Sequence, residues 1–376
     1  MRAHKSLFVA ALAMSLLVAC GNAGDKGADK GADKGAAGDK KAEPAKADAE
    51  KGDKGAKKDG TEATKDAEGA LVVYSARSKK LVGPLIEKFE KASGVKVDVR
   101  YGDATGLVTK MRTEGAQSDA DVFFAQDLGN LGTMRDSKLL TELPQALVDQ
   151  TLERYREGSR NWVATSGRVR VLVYSPERVK PEELPKTLKE LNDPKWKKRL
   201  GWAPRNGSFQ VHVSGLRAIW GEEETEAWLK GIKALEPGEY PKNSPQVNAV
   251  DKGEIDVGWV NHYYLHKIKA ANPGLKAANH SFATDKDAGN LVMLSGAGIL
   301  KASKRPEQAR KFIEFLLSEE AQNYFAQNVY EYPTREGIAT HKDVPALTTI
   351  KQPDVDQKAL TDLDATRKLL QKLGLL

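Results

Sequence analysis

Tyr263 and Tyr264 stand side by side in the stretch Gly-Trp-Val-Asn-His-Tyr-Tyr that begins at Gly258. Two adjacent phenols at the end of an apolar strand can both turn into one cleft. As phenolates they would be hard, anionic oxygen donors, suited to a hard and highly charged cation such as Fe(III). The pair therefore points to capture of ferric ion and not to catalysis. The opposing reading is an ordinary helix, on which neighbours diverge by about 100°, so that one ring would pack in the core and the other meet solvent. A position at the very start of a helix relaxes that limit. His262 and His266 share one helix face at the spacing of a zinc pair. Without a His-Glu-x-x-His arrangement they read as solvent-facing histidines.

Other chemistry is sparse. The chain has no Gly-x-Ser-x-Gly elbow, no Walker loop and no Gly-x-Gly-x-x-Gly after its first strand, so an enzyme is not expected. The single cysteine, Cys20, excludes an internal disulfide and leaves stability to the core. Arg2 and Lys5 precede an apolar run from Leu7 to Ala19, too short to span a bilayer but right for the core of an export signal. Leu17-Val18-Ala19-Cys20 looks like the lipobox of a bacterial lipoprotein, with residues 1–19 removed and Cys20 lipidated.

Residues 20–70 carry that cysteine and a tether of almost only Gly, Ala, Asp, Lys and Glu, in which Gly-Ala-Asp-Lys at 27–30 repeats at 31–34. From Gly21 to Gly69 there is no aromatic residue and no Val, Ile or Leu, so the segment cannot bury enough apolar surface to offset the entropy of ordering. A flexible chain of this length would hold the folded part on the order of 40 Å from its anchor. Its charges nearly balance, and the remainder has a mild, scattered basic excess within a net charge of +7 for the chain. No nucleic-acid groove is implied.

The phenols need a scaffold. Leu71–Tyr74, Val95–Val99 and Ala120–Phe124 read as strands, separated by helical patterns at Leu81–Ala92 and Gly102–Glu114. That β-α-β-α-β order argues for a mainly parallel sheet covered on both faces, with ligands beyond the carboxyl ends of its strands. A second set comes next in the chain: strands at Val169–Tyr174, Arg199–Trp202 and Ile255–Val260, with helices at Gln210–Trp220, Glu222–Leu235 and Pro245–Lys252. Long apolar strands between the sets and at Leu291–Leu300 could cross between two lobes as a hinge. The expected division is lobe one at 71–168, lobe two at 169–290, a return to lobe one at 291–345 and a C-terminal helical segment at 346–376. Trp196, Trp202, Trp220, Trp228 and Trp259 read as core, with Trp202 near enough to the Asn206 loop to report closure.

Six segments occur in an order that covers nearly all of the folded part: Tyr74-Ser75-Ala76-Arg77, Ala120-Asp121-Val122-Phe123-Phe124, Asp193-Pro194-Lys195-Trp196, Asn206-Gly207-Ser208-Phe209, Asn261-His262-Tyr263-Tyr264 and Phe315-Leu316-Leu317-Ser318-Glu319-Glu320-Ala321. With them the chain resembles the iron-binding subfamily of ABC-transporter solute-binding proteins, the ferric-binding proteins. The resemblance implies a two-lobed α/β type II periplasmic-binding fold, each lobe a mainly parallel sheet flanked by helices and joined by crossover strands. It also implies a monomer that carries Fe(III) to an ABC permease in the cytoplasmic membrane.

Position by position, the resemblance makes Tyr263 and Tyr264 the metal ligands. It places a synergistic anion, carbonate or phosphate, against Asn206, Gly207 and Ser208, with Arg77, Ser78, Asn243 and Asn261 as further anion-binding residues. A glycine-containing loop that opens a helix suits an anion, because unpaired N–H groups and the helix dipole favour negative charge. Ser78 stands where one branch has a histidine ligand, and Gln126 where it has a glutamate. A third tyrosine that another branch supplies near Asn206 is absent. Two phenolates do not fill an octahedral shell, so the remaining positions fall to the anion, water, Gln126, Asp127 or Asp103, of which Asp103 also reads as a helix cap. Two alternatives stay open: the same fold holding an organic or phosphorylated anion of thiamine, phosphonate or sulfonate type, and a tethered surface interaction module without a small ligand.

Overall fold

The first strand, β1 (Leu71–Ser75), is buried along its whole length, as expected of a strand covered on both faces. A computed structural model describes residues 69–376; the signal segment, Cys20 and nearly all of the tether lie outside the described residues. The helix Lys79–Ser93 comes after β1 and ends at Gly94, whose φ of 70° closes the last turn at a conformation that costs glycine nothing. β2 (Val97–Tyr101) and β3 (Val122–Ala125) both run parallel to β1, with the helix Ala104–Glu114 between them. The β-α-β-α-β order read from the sequence is present.

The helix Leu128–Asp136 after β3 has no apolar period to announce it. It is glycine-rich because the C-terminal segment presses on it: a Cβ on Gly129 would lie 2.6 Å from Leu363 Cδ1, and one on Gly132 2.5 Å from Thr361 Cβ. The helix Leu363–Lys372 then docks on the helix Gly207–Trp220 through Ser214 and Thr366, whose hydroxyls are 2.7 Å apart.

β4 (Val163–Tyr174) is twelve residues long, twice the strand expected from Val169. Its first half, Ala-Thr-Ser-Gly-Arg after Val163, lacks an apolar run yet is buried throughout, because it lies inside the sheet. β5 (Leu200–Trp202), β6 (Gly238–Glu239) and β7 (Val257–Asn261) form a second parallel group. β8 (Ala278–His280) adds to β4, and β9 (Val292–Ile299) returns between β3 and β4. The order is β2-β1-β3-β9-β4-β7-β5-β6. Each three-stranded end is parallel, whereas every pairing made by β4 or β9 is antiparallel.

β4 changes partner midway. Val163 to Val169 pair with β9, and Arg170 to Tyr174 pair with β7. The two crossover strands therefore join the parallel groups, as the hinge reading requires. Behind the first group, Phe89 meets Phe312 edge-on with centroids 5.0 Å apart. Behind the second, Phe209, Trp228 and His212 all pack on Trp259. Trp202 sits in that cluster at 1% exposure, whereas Trp220 is only partly covered. No helix among the described residues is long and apolar enough to cross a membrane.

Candidate functional site

β7 ends at Asn261, and after one helical residue, His262 (φ −55°, ψ −38°), the helix Tyr263–Ala271 begins. A strand that turns into a helix this abruptly leaves the first-turn side chains close to the strand's end. The rings of Tyr263 and Tyr264 stack, with centroids 4.4 Å apart and planes 27° from parallel. Both phenols thus lie on one side of the chain. Tyr263 is 1% exposed and Tyr264 is half-buried. Burial holds the Tyr263 hydroxyl well above the usual tyrosine pKa; Tyr264 and Glu331 push the same way, and Arg168 opposes them. At neutral pH Tyr263 is a phenol, so a metal bound there would have to displace its proton.

Around this pair lie three buried guanidiniums and two buried carboxylates. Arg77 is wholly enclosed and forms a fork with Glu331, Nη2 to Oε2 at 2.8 Å and Nη1 to Oε1 at 3.2 Å, with Nη1 also donating to Ser295. Ser166 donates to the same carboxylate at 2.6 Å. Burial alone would raise the pKa of Glu331, but the charge and hydrogen bonds of Arg77 outweigh it and hold the carboxyl below its ordinary value. Arg168 pairs with Asp127 and donates to Ser295 at 3.3 Å. From the sequence Arg77 is assigned to the anion; in the structure its terminal nitrogens are committed to Glu331 and serines, because a buried charge is tolerable only when paired.

Arg170 is the guanidinium without a carboxylate. At 1% exposure it donates to Asn261 Oδ1 at 3.4 Å and to the Trp259 carbonyl, and it lies 4.8 Å from the centre of the Trp259 ring. Burial draws its pKa down to about 9, with Tyr264 and Tyr263 opposing and Arg168 reinforcing the shift. Arg168 and Arg170 are the residues that sequence reading missed. Their signal was present: two arginines at a spacing of two on a strand otherwise written Val-Leu-Val-Tyr place both charges on one face of a buried strand.

The Asn206 loop is knit to the end of β7. Asn206 caps the helix Gly207–Trp220 by accepting from the Ser208 N–H at 3.1 Å, which starts that helix three residues before the Gln210 expected. Asn261 Nδ2 donates to Ser208 Oγ at 3.2 Å, and the Asn261 N–H donates to Asn243 Oδ1 at 3.3 Å. Asn243 opens its own helix two residues before the expected Pro245. A Cβ on Gly207 would meet Asp127 Oδ2 at 3.6 Å, so this loop and the end of β3 approach to contact. Four buried donor atoms of these residues have no acceptor: Asn243 Nδ2 and the Nε atoms of Arg77, Arg168 and Arg170. Such donors are costly unless an acceptor reaches them.

Other sequence-assigned residues fall elsewhere. Ser78 is exposed at the start of the helix Lys79–Ser93 and makes no capping bond with its side chain. Gln126 is half-buried, and its carbonyl accepts from Ser295 Oγ at 3.0 Å. Asp103 accepts from the Gly106 N–H at 2.8 Å as a helix cap. Neither histidine faces solvent freely. His262 is 3% exposed with both ring nitrogens bonded, and His266 is half-buried against the Tyr330 ring. Burial, followed by His266, pulls the His262 pKa down to about 4. Among the described residues no group of three or more His, Cys, Asp or Glu side chains could hold a metal.

The family model for bacterial extracellular solute-binding proteins matches residues 74–323. The chain is 32% identical over 310 residues to the major ferric iron-binding protein of Neisseria meningitidis, covering 81% of this chain and 93% of that one. It is 35% identical over 289 residues to iron uptake protein A1 of Synechocystis, covering 74% and 79%. Its fold superposes on the crystal structure of iron-bound HitA from Pseudomonas aeruginosa with a TM-score of 0.78 and 31% identity, covering 81% of this chain and 99% of that one.

Proposed function

The chain belongs to the bacterial extracellular solute-binding proteins and, within them, to the ferric-binding proteins, and from that premise we propose how it takes up its cargo. Tyr263 and Tyr264 bind Fe(III) as phenolates, and a small oxyanion, carbonate or phosphate, completes part of the metal's shell. The observation that carries this reading is the stacked pair of phenols beside a charge cluster that has one guanidinium, Arg170, in excess of its carboxylates. A trivalent cation favours the phenolate strongly enough to displace both protons. The anion neutralises Arg170 and gives acceptors to the free donors, with Asn243, Asn261, Ser208 and the Asn206–Gly207 loop around it. Gln126 and water are the candidates for the remaining metal positions.

Arg77 and Ser78 have different parts here. Arg77, locked to Glu331, holds the end of β1 against the return segment. Ser78 lies in the surface loop of the first lobe. Lobes at 71–168 with 291–345 and at 169–290 close on the ion by bending β4 and β9. Delivery comes when the loaded protein, a monomer held at an extracytoplasmic membrane surface through lipidated Cys20 and its tether, opens at an ABC permease.

The test uses protein stripped with chelator and then given ferric citrate with bicarbonate or phosphate. The wild type develops the visible phenolate-to-iron charge-transfer band, and Tyr263→Phe loses most of it. Arg170 also favours a second reading, in which an organic or phosphorylated anion is the cargo and the tyrosines stack on it. Thermal stabilisation by such an anion with no band under any condition would establish that reading in place of the first.

A further inference from the structure

The residue before the tyrosine pair sits where β4 changes partner. Val169 is the last residue of β4 to pair with β9, opposite Val292, and Arg170 is the first to pair with β7, opposite Asn261. His262 extends that second pairing by one residue through both backbone and side chain. Its N–H donates to the Val169 carbonyl at 3.0 Å, and its Nδ1 accepts from the Val169 N–H at 3.3 Å. The other ring nitrogen, Nε2, donates to the Tyr330 carbonyl at 2.7 Å. Tyr330 has a φ of 64°, rare for a residue with a side chain, and opens the segment that crosses back to Gly167 through paired 2.7 Å bonds between Gly167 and Tyr332. Holding a tyrosine in the left-handed region costs free energy that the surrounding contacts must offset.

The imidazole is clamped on its faces as well. It stacks on Tyr332 with centroids 4.8 Å apart and meets the Tyr263 ring edge-on at 5.9 Å. Asn279 of β8 fixes the His262 carbonyl at 2.8 Å. One ring therefore touches the changeover point of the crossover strand, the return segment and a ferric ligand. Asn or Ser at this position could replace part of that set, but neither reaches both carbonyl and N–H partners on opposite sides of a flat ring.

We propose that His262 is a positioning residue that couples the bend of β4 to the orientation of Tyr263 and Tyr264, and so sets how fast the closed site surrenders iron. The proposal rests on the ferric reading above. A bend at Val169 moves both the N–H that bonds the imidazole and the carbonyl that accepts from the His262 backbone N–H, and His262 carries the start of the Tyr263–Ala271 helix with it.

The experiment compares wild type, His262→Ala and His262→Asn, each loaded with ferric citrate and bicarbonate, by the position of the charge-transfer band and by the rate of iron loss to excess chelator. Loss of the ring should shift the band maximum and speed release by about three- to ten-fold, the scale of one or two neutral hydrogen bonds. His262→Asn, which keeps an acceptor for Val169 but loses Tyr330, should fall between the other two. An unchanged band and an unchanged release rate in the variants would overturn the proposal. If His262→Ala does not fold, the asparagine variant alone decides by the same two readouts. Absence of the band in wild type would instead overturn the ferric reading itself.

Discussion

Arg168 and Arg170 leave the same face of β4, yet only Arg168 meets a carboxylate; Arg170 meets an amide oxygen, a backbone carbonyl and two aromatic rings. A buried cation left in that condition destabilises the empty protein. Replacing it with Met should raise the stability of the metal-free protein by roughly 1–3 kcal/mol, read from urea denaturation. The same change should remove most of the dependence of iron binding on added bicarbonate or phosphate. Stability that falls on substitution, with anion dependence intact, would show that Arg170 is already satisfied.

Glu331 has the opposite role. It is the ion-pair partner of Arg77, and both side chains have no exposure. Glu331→Gln should cost about 3–5 kcal/mol, because it leaves a guanidinium buried without its charge partner. The sign of the shift sets the pH dependence. The folded pKa of Glu331 is below the ordinary 4.5, so its contribution is fully present above that value and is lost as pH falls through the lower, folded one. Acid titration of the unfolding midpoint should show a decline below pH 4.5 that is smaller in the Gln variant.

Iron binding should be more sensitive to acid than folding is. Tyr263 holds its proton well above pH 10 because it is buried, so throughout the neutral range binding must release it. Affinity should rise about tenfold per pH unit for each proton displaced, up to two protons for the pair. Calorimetry in buffers of different ionisation enthalpy would count them. A proton count of zero would mean that the phenols do not ligate.

The groove for the C-terminal segment gives a purely structural prediction. Gly132→Val would drive a side chain into Thr361, whose Cβ lies 2.5 Å from the position of the new Cβ. Overpacking of this kind costs about 1–3 kcal/mol. The loss should show as a lower melting temperature, together with faster hydrogen exchange in the helix Leu363–Lys372.

Much of this protein could be read from its residues, and the rest was hidden for identifiable reasons. Apolar runs such as Leu71–Tyr74 and Ala120–Phe124 announced the parallel strands, since strands covered on both faces are commonly written as near-continuous apolar runs. The stretch from Ala164 to Arg168 did not, because Thr, Ser, Gly and Arg carry no apolar period and their burial depends on hydrogen bonds to β9 and Tyr332. The tyrosines and the Asn206 loop stood out by type and spacing. The charge pairing did not: nothing local says that Arg77 belongs to Glu331, 254 positions away. His262 looked like a surface residue for the same reason, since its partners Val169 and Tyr330 are remote in the chain.

The most direct measurement is the visible absorption of the stripped protein after addition of ferric citrate and bicarbonate, in wild type, Tyr263→Phe and Tyr264→Phe. A broad phenolate-to-iron band in wild type that weakens in each single variant and vanishes in the double variant is the expected result. A wild-type protein that binds iron with no such band, or a band that survives loss of both hydroxyls, would contradict the account.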